Sequence, residues 1–386
     1  MINFKNIILV YIFFICISYN LKWFYIVGSF SYADLLLPVL FLSSLKKTQF
    51  KLDYVTFLLI GLAFISCTSS LNAILLGSYD DFKVGYFFRS LYFVLLYLFL
   101  LNTNVSTDDV IKMILLSLLF SLLVCFYIWS TNPRYFGFSS MPMLHIRESP
   151  SGLVVNRNET GLTASLLYTI SFYGLVYRKF FSTPVNIFLV ILSLLTVALC
   201  FSKGAWLLTV IASVFIIAYR FKAIKLFFVS IFILILVPFL PISDFIFFDA
   251  VATRFTGSGE TNDIRLSYVW DSVLIASDNL IFGIGPGNYK EYTIANGYTI
   301  TIDPHNTFMQ SFAELGIFGL LIVTFFYGTV LLQSFFNGKK EKNHIIVFVL
   351  VVLLTADSLQ SGLSLTMKIF YILAALTMRK GSNVQS

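Results

Sequence analysis

Long uninterrupted apolar runs recur from one end of the chain to the other, and they restrict its fold more than any motif does. A helix rises about 1.5 Å per residue, so roughly 20 apolar residues cross the ~30 Å of a bilayer's hydrocarbon core. The runs are Ile7 to Tyr19, Tyr32 to Leu45, Leu52 to Leu71, Tyr86 to Leu101, Val110 to Ser130 and Thr160 to Tyr177. Val185 to Phe201, Ala205 to Tyr219, Ala223 to Ile242, Thr307 to Phe336, Ile345 to Leu359 and Leu363 to Met378 follow. They predict an all-α polytopic membrane protein of about twelve transmembrane helices, forming a single integral membrane domain over residues 1–386. Only 12% of the residues are charged, about half the ~25% of soluble domains. A transmembrane barrel would need short segments of alternating hydrophobicity, and none are visible. The first run resembles a secretory leader, but no small-x-small cleavage site follows it, so it reads as an uncleaved helix.

The net charge of +7 follows topology and forms no nucleic-acid-binding patch. With both termini cytoplasmic, the inner loops collect Lys46, Lys47, Lys51, Lys112, Arg178, Lys179, Arg220, Lys222, Lys225, Lys339, Lys340 and Lys342. Lys5, Arg379 and Lys380 lie on the terminal segments, as the positive-inside rule requires. The two longest loops, residues 131–159 and 243–306, then face outward, and the second is a large extracytoplasmic loop containing short helices. It has no counterpart in the first half, which weighs against the repeats of many transporters. Cys16, Cys67, Cys125 and Cys200 lie inside apolar runs as small hydrophobes, with no disulfide or metal-ligand spacing.

A polar island, Asn262 to Gly319, interrupts this pattern. Asp263 is placed to cap a helix reaching Ser277, with Leu266, Val269, Trp270, Val273 and Leu274 on one apolar face. Arg265 sits in its first turn, off that face. Gly283, Gly285 and Gly287 have the spacing of a nucleotide fingerprint without its preceding strand, so they read as a tight turn with backbone amides near a ligand. His305, one of three histidines, opens a helix just after Pro304. The positive end of a helix disfavours imidazolium, leaving a neutral ring able to accept a proton. A lone histidine is more often structural; His145 and His344 rank below His305. Asn306, Gln310 and Glu314 stripe one face of the same helix, and charge at membrane depth faces a bundle interior or a wet cavity. Asp34, Arg89 and Lys203 enter from the same outer side, while Asp357 and Lys368 are placed to pair across the Ser361-Gly362 turn. A cationic cluster at the outer boundary suits a phosphate or pyrophosphate on a lipid. A neutral histidine beside it suits deprotonation of a hydroxyl. Paired carboxylates for a glycosidase route are not evident, although Glu260, Asp263 and Asp303 share the loop.

At these residues the sequence resembles the bacterial O-antigen ligase and O-antigen polymerase superfamily. The resemblance rests on Ser202-Lys203-Gly204, Arg265 with Trp270, and Ile281-Phe282-Gly283-Ile284-Gly285-Pro286-Gly287-Asn288-Tyr289. His305-Asn306-Thr307-Phe308, Glu314-Leu315-Gly316-Ile317-Phe318-Gly319 and the early Asn156-Arg157-Asn158 complete it. It implies transfer of a glycan from an undecaprenyl-pyrophosphate-linked oligosaccharide at the periplasmic face of the bacterial inner membrane, with no metal or other cofactor. By resemblance His305 is the base and Arg265 holds the leaving pyrophosphate. Lys203 stands where a second arginine is expected; it keeps the charge but loses the bidentate fork. Arg89, Arg157, Asn306 and Glu314 are further substrate-binding candidates. The activity expected is O-antigen polymerase, with a chain-length regulator as a possible partner; the alternative is a ligase acting on lipid A core. A flippase using Asp34, Arg89 and Glu314 as translocation charges is the rival of another class.

Overall fold

The computed structural model describes residues 4–17, 25–27, 30–45, 51–75, 84–131, 157–177, 180–200, 202–221, 259–298, 304, 306–341, 344–359 and 364–382. Helices dominate them, joined by one short antiparallel ribbon of β1 (Tyr25–Val27) and β2 (Phe30–Ser31) that the all-α reading did not foresee. Three helices among the described residues are long and apolar enough to cross a membrane: Tyr54–Leu75, Thr107–Tyr127 and Thr307–Gly338. Phe4–Ile15, Tyr32–Ser44, Phe88–Leu101, Thr183–Leu199, Gly204–Arg220 and Ile345–Ala356 are shorter apolar helices. The run Ala223 to Ile242 lies outside the described residues. Backbone contacts divide the chain into two compact units, residues 1–36 with 104–259 and residues 37–103 with 260–386.

In the first unit, α1 (Phe4–Ile15) packs on α5 (Thr107–Thr131), and Lys5 pairs with Asp109 at 2.6 Å. That pair is partly exposed and contributes little. The centre of the unit is α6 (Arg157–Val176), buried continuously over residues 159–171 and flanked by α5, α7 (Thr183–Leu199) and α8 (Lys203–Phe221). Burying apolar surface gives helices in lipid no reason to associate, so they rely on small residues and interhelical hydrogen bonds. Both are present. A Cβ on Gly161 would lie 2.7 Å from that of Ala205. The Ser165 hydroxyl donates to the Ala205 carbonyl at 3.0 Å, and Tyr168 and Ser213 share a hydrogen bond of 2.7 Å.

In the second unit, α2 (Leu37–Leu45) lies on α4 (Val84–Leu101), which packs between α3 (Tyr54–Leu75) and α13 (Ser364–Ser382). The 20-residue α9 (Gly259–Asp278) and the short α10 (Tyr289–Ala295) precede the long α11 (Thr307–Glu341), and α12 (Ile345–Leu359) follows it. Aromatic rings join α4, α11 and α13: Phe93 stacks on Tyr371 at 4.4 Å, and Phe326 on the same Tyr371 at 5.3 Å. Lys368 is only 1% exposed, with its ammonium 5.9 Å from the Tyr92 ring. The Asp357 side chain, its expected partner, lies outside the described residues.

One feature of α11 was not expected: it is broken at Gly316, where φ is 68° and ψ −165°. Only glycine occupies that region without heavy strain. The break releases backbone groups, and the turn after α9 takes them up. Ile284 N donates to Ala313 O at 3.0 Å, Gly285 N to Glu314 O at 2.9 Å, and Ile317 N to Leu280 O at 2.8 Å. Ser69 of α3 adds its hydroxyl to Glu314 O at 2.8 Å. This backbone clasp needs glycine on both sides. A Cβ on Gly283 would sit 2.6 Å from Leu315 N, and one on Gly316 2.7 Å from Leu280 O.

Gly316→Ala should therefore lower stability by roughly 3–5 kcal/mol, strain and steric overlap combined. Gly297 also has positive φ but nothing within 4 Å of its Cβ position, so Gly297→Ala should cost about 1–2 kcal/mol. Unfolding of the two variants in detergent measures the difference; equal losses would contradict the clasp.

Candidate functional site

Within the second unit, α3, α4, α11 and α13 line a cavity of about 210 Å³. Ser66, Arg89 and Ser90 contribute from α3 and α4, and Thr307, Gln310 and Glu314 from the limb of α11 before its break. Phe93, Phe326, Tyr327 and Tyr371 present aromatic surface, and Pro286 of the glycine turn closes one side. Arg89 and Glu314, two candidates distant in sequence, are thus brought to one cavity. Glu314 is 5% exposed, and Gln310 Nε2 donates to its Oε1 at 3.2 Å, so these two members of the predicted polar stripe meet and both line the cavity. The Arg89 guanidinium lies 5.9 Å from the Phe93 ring centroid. Thr307 is buried, and its hydroxyl has no hydrogen-bond partner among the described residues. Sequence reasoning passed over Ser66 and Ser90, and Thr307 entered only as a member of the His305-Asn306-Thr307-Phe308 motif. By themselves all three show only a hydroxyl inside or beside an apolar run, which many structural residues share.

Asn306 has a different place from the one expected. Its Oδ1 accepts from Phe308 N at 3.0 Å and Met309 N at 3.1 Å, so it is the N-cap of α11. It does not line the cavity. His305 lies outside the described residues, while Pro304 and Asn306 on either side of it are described. In sequence it therefore directly precedes the cap.

The reading of the start of α9 is corrected. The helix begins at Gly259, so Asp263 stands inside it and is not its cap, and Arg265 falls in the second turn and not the first. Its buried side is Ser272, Ile275 and Ala276, whereas Trp270 is 68% and Leu274 50% exposed. Small side chains let the helix approach the cluster of Ile284, Tyr289 and Ala313, and the bulky Trp270 and Leu274 are left outside it. Such surfaces suit lipid or headgroups more than water. Burial raises the pKa of Asp271 on this helix and lowers that of His344, which precedes α12. The glycine turn is also corrected: the Ile284 and Gly285 amides are spent on Ala313 and Glu314 carbonyls and not held out to a ligand.

The side chains of Arg265, Lys203 and Arg157 lie outside the described residues, but their backbones are placed. Arg265 is in the second turn of α9, and Arg157 and Lys203 are the first residues of α6 and α8. The Ser202 hydroxyl donates to Asn158 Oδ1 at 3.0 Å, joining two motifs of the first unit at one end of the α6–α8 pair. Asp34 is buried in the 3-10 turn Tyr32–Leu36 and is not part of the cavity wall.

Long apolar helices, joined in the first unit by small residues and interhelical hydroxyls and in the second by aromatic rings beside a partly polar cavity, define a helical membrane protein. Residues 188–324 match the family model described as O-antigen ligase, which bears out the superfamily resemblance. The matched segment runs from α7 past the break in α11 and includes Lys203, Arg265, His305 and Glu314; Arg89 and Arg157 fall outside it. A comparison with curated proteins returns no match.

Loss of the α11 cap should be mild. Asn306→Ala is expected to cost about 1 kcal/mol, and Asn306→Asp to restore most of it. Unfolding in detergent tests this, and an unchanged stability in the alanine variant would contradict the cap.

Proposed function

We propose that the chain is an O-antigen polymerase at the periplasmic face of the bacterial inner membrane, with about twelve spans and both termini cytoplasmic. It transfers a growing glycan from its undecaprenyl-pyrophosphate carrier onto a hydroxyl of a new lipid-linked repeat unit. The observation that supports this reading is the cavity of the second unit. It joins a carboxylate, a guanidinium and several hydroxyls, and one wall is the helix limb that starts two residues after His305.

His305 takes the proton of the acceptor hydroxyl, and the oxygen forms a bond to the anomeric carbon of the donor. The bond from that carbon to the pyrophosphate breaks, and its electron pair leaves with the pyrophosphate. Arg265 meets the charge that develops there, and by the resemblance Lys203 and Arg157 are substrate-binding residues. The histidine then releases its proton to solvent or to the departing phosphate. A chain-length regulator is a further partner in this reading.

A second reading, ligation of finished polymer to lipid A core, has the description of the matched family in its favour. The glycan ladder of a deletion strain separates the two. Loss of a polymerase leaves single repeat units on the core, whereas loss of a ligase leaves the core bare while lipid-linked polymer accumulates.

For the chemistry, His305→Ala should reduce transfer by about 10²–10⁴-fold, as expected for a lost general base. Arg265→Ala should reduce it by roughly 10–100-fold, as for a lost charged hydrogen bond. Both variants should insert normally. Transfer from purified lipid-linked oligosaccharide measures them, and wild-type turnover in His305→Ala would rule out its assignment as base. Protein that only moves the lipid across vesicles would be a flippase.

A further inference from the structure

We propose that the cavity between α3, α4, α11 and α13 is a subsite for one uncharged sugar ring of the acceptor, and that Glu314, Gln310 and Arg89 recognise its hydroxyls. This rests on the transferase reading and adds the part of the substrate that the cavity takes.

Charge is the first argument. From sequence, Arg89 belongs to a cationic cluster suited to pyrophosphate. In the fold it shares its cavity with the buried carboxylate of Glu314. Formal charges of opposite sign cancel there, and a carboxylate in a low-dielectric wall repels a multiply charged anion. The remaining chemistry is that of an uncharged polyhydroxyl compound. The carboxylate and the Gln310 carbonyl accept hydrogen bonds, the guanidinium and amide donate them, and the hydroxyls of Ser66, Ser90 and Thr307 do either.

The walls supply the second argument. Phe93, Phe326, Tyr327 and Tyr371 offer flat apolar surface to the C–H face of a sugar, beside a few converging polar groups. An acyl or prenyl tail would bring no hydrogen-bonding group to this partly polar wall. Thr307 provides a third observation, a buried hydroxyl in the wall with no partner among the described residues. It is also two residues from His305, so the ring in this cavity is assigned to the acceptor and not to the donor's pyrophosphate end.

The test uses the purified full-length protein in detergent. Saturation-transfer NMR is run with a panel of uncharged methyl glycosides, hexosides and N-acetylhexosaminides, with inorganic pyrophosphate as competitor. Saturation should reach the ring C–H protons of at least one glycoside, survive excess pyrophosphate, and fall at least tenfold in affinity in Glu314→Gln. No signal from any glycoside, displacement by pyrophosphate, or unchanged affinity in Glu314→Gln overturns the assignment. If Glu314→Gln does not fold, as judged by size exclusion and thermal unfolding, Thr307→Val and Ser90→Ala take its place under the same criteria. In the transfer assay, Glu314→Gln should raise KM for the acceptor about tenfold with the donor KM unchanged. Wild-type transfer with an unchanged acceptor KM in that variant sinks the sugar subsite alone. Absence of transfer by the wild type, with glycoside binding retained, sinks the transferase reading alone.

Discussion

A helix inside a membrane cannot leave backbone carbonyls bare, because no water is present to satisfy them and each would cost several kcal/mol. The break at Gly316 is tolerated because a turn from elsewhere in the chain answers its backbone groups in both directions. The turn donates from Ile284 and Gly285 and accepts at Leu280. Ser69 brings α3 into the same exchange. The short limb before the break is thereby held at a fixed place, and Thr307, Gln310 and Glu314 on it reach the cavity. The glycine run, the Glu-Leu-Gly segment and the polar stripe are therefore one device, in which two glycines admit the close backbone approach that carries the others.

Charge is arranged differently in the two units. In the first, Arg157 and Lys203 stand at the starts of α6 and α8, and the Ser202–Asn158 hydrogen bond joins those two ends. The helices meet through Gly161, Ser165 and Ala205, small residues that let one backbone approach the other. In the second unit, Arg89 has a carboxylate in the same cavity, and the site is balanced. A balanced polar cavity with aromatic walls is the setting that the proposed sugar subsite requires.

The helical membrane class was legible from the sequence because length and apolarity are properties of each segment alone, independent of its neighbours. The motifs that identify the superfamily were legible for a related reason, since their order and spacing are read along one strand of text. The Gln310–Glu314 pair was legible as well, because residues four apart on a helix are always neighbours. Asn306 was picked out, but as a ligand, since a capping asparagine and a binding asparagine look the same until the helix start is seen.

The break at Gly316 was not legible. Glycine in an apolar helix is common, and only the turn at residues 280–285 shows why this one is not helical. Nor could sequence say which side of α9 packs inward: its apolar face suited the membrane surface as well as the bundle, and the buried residues are Ser272, Ile275 and Ala276, with Trp270 and Leu274 exposed. That Arg89 and Glu314 line one cavity was likewise decided in three dimensions. The sequence by itself determined which segments are apolar helices and which residues carry charge, because these depend on local composition. Tertiary structure alone decided which charges share a cavity and which glycines must be glycine, because both depend on what the rest of the chain brings within a few ångströms.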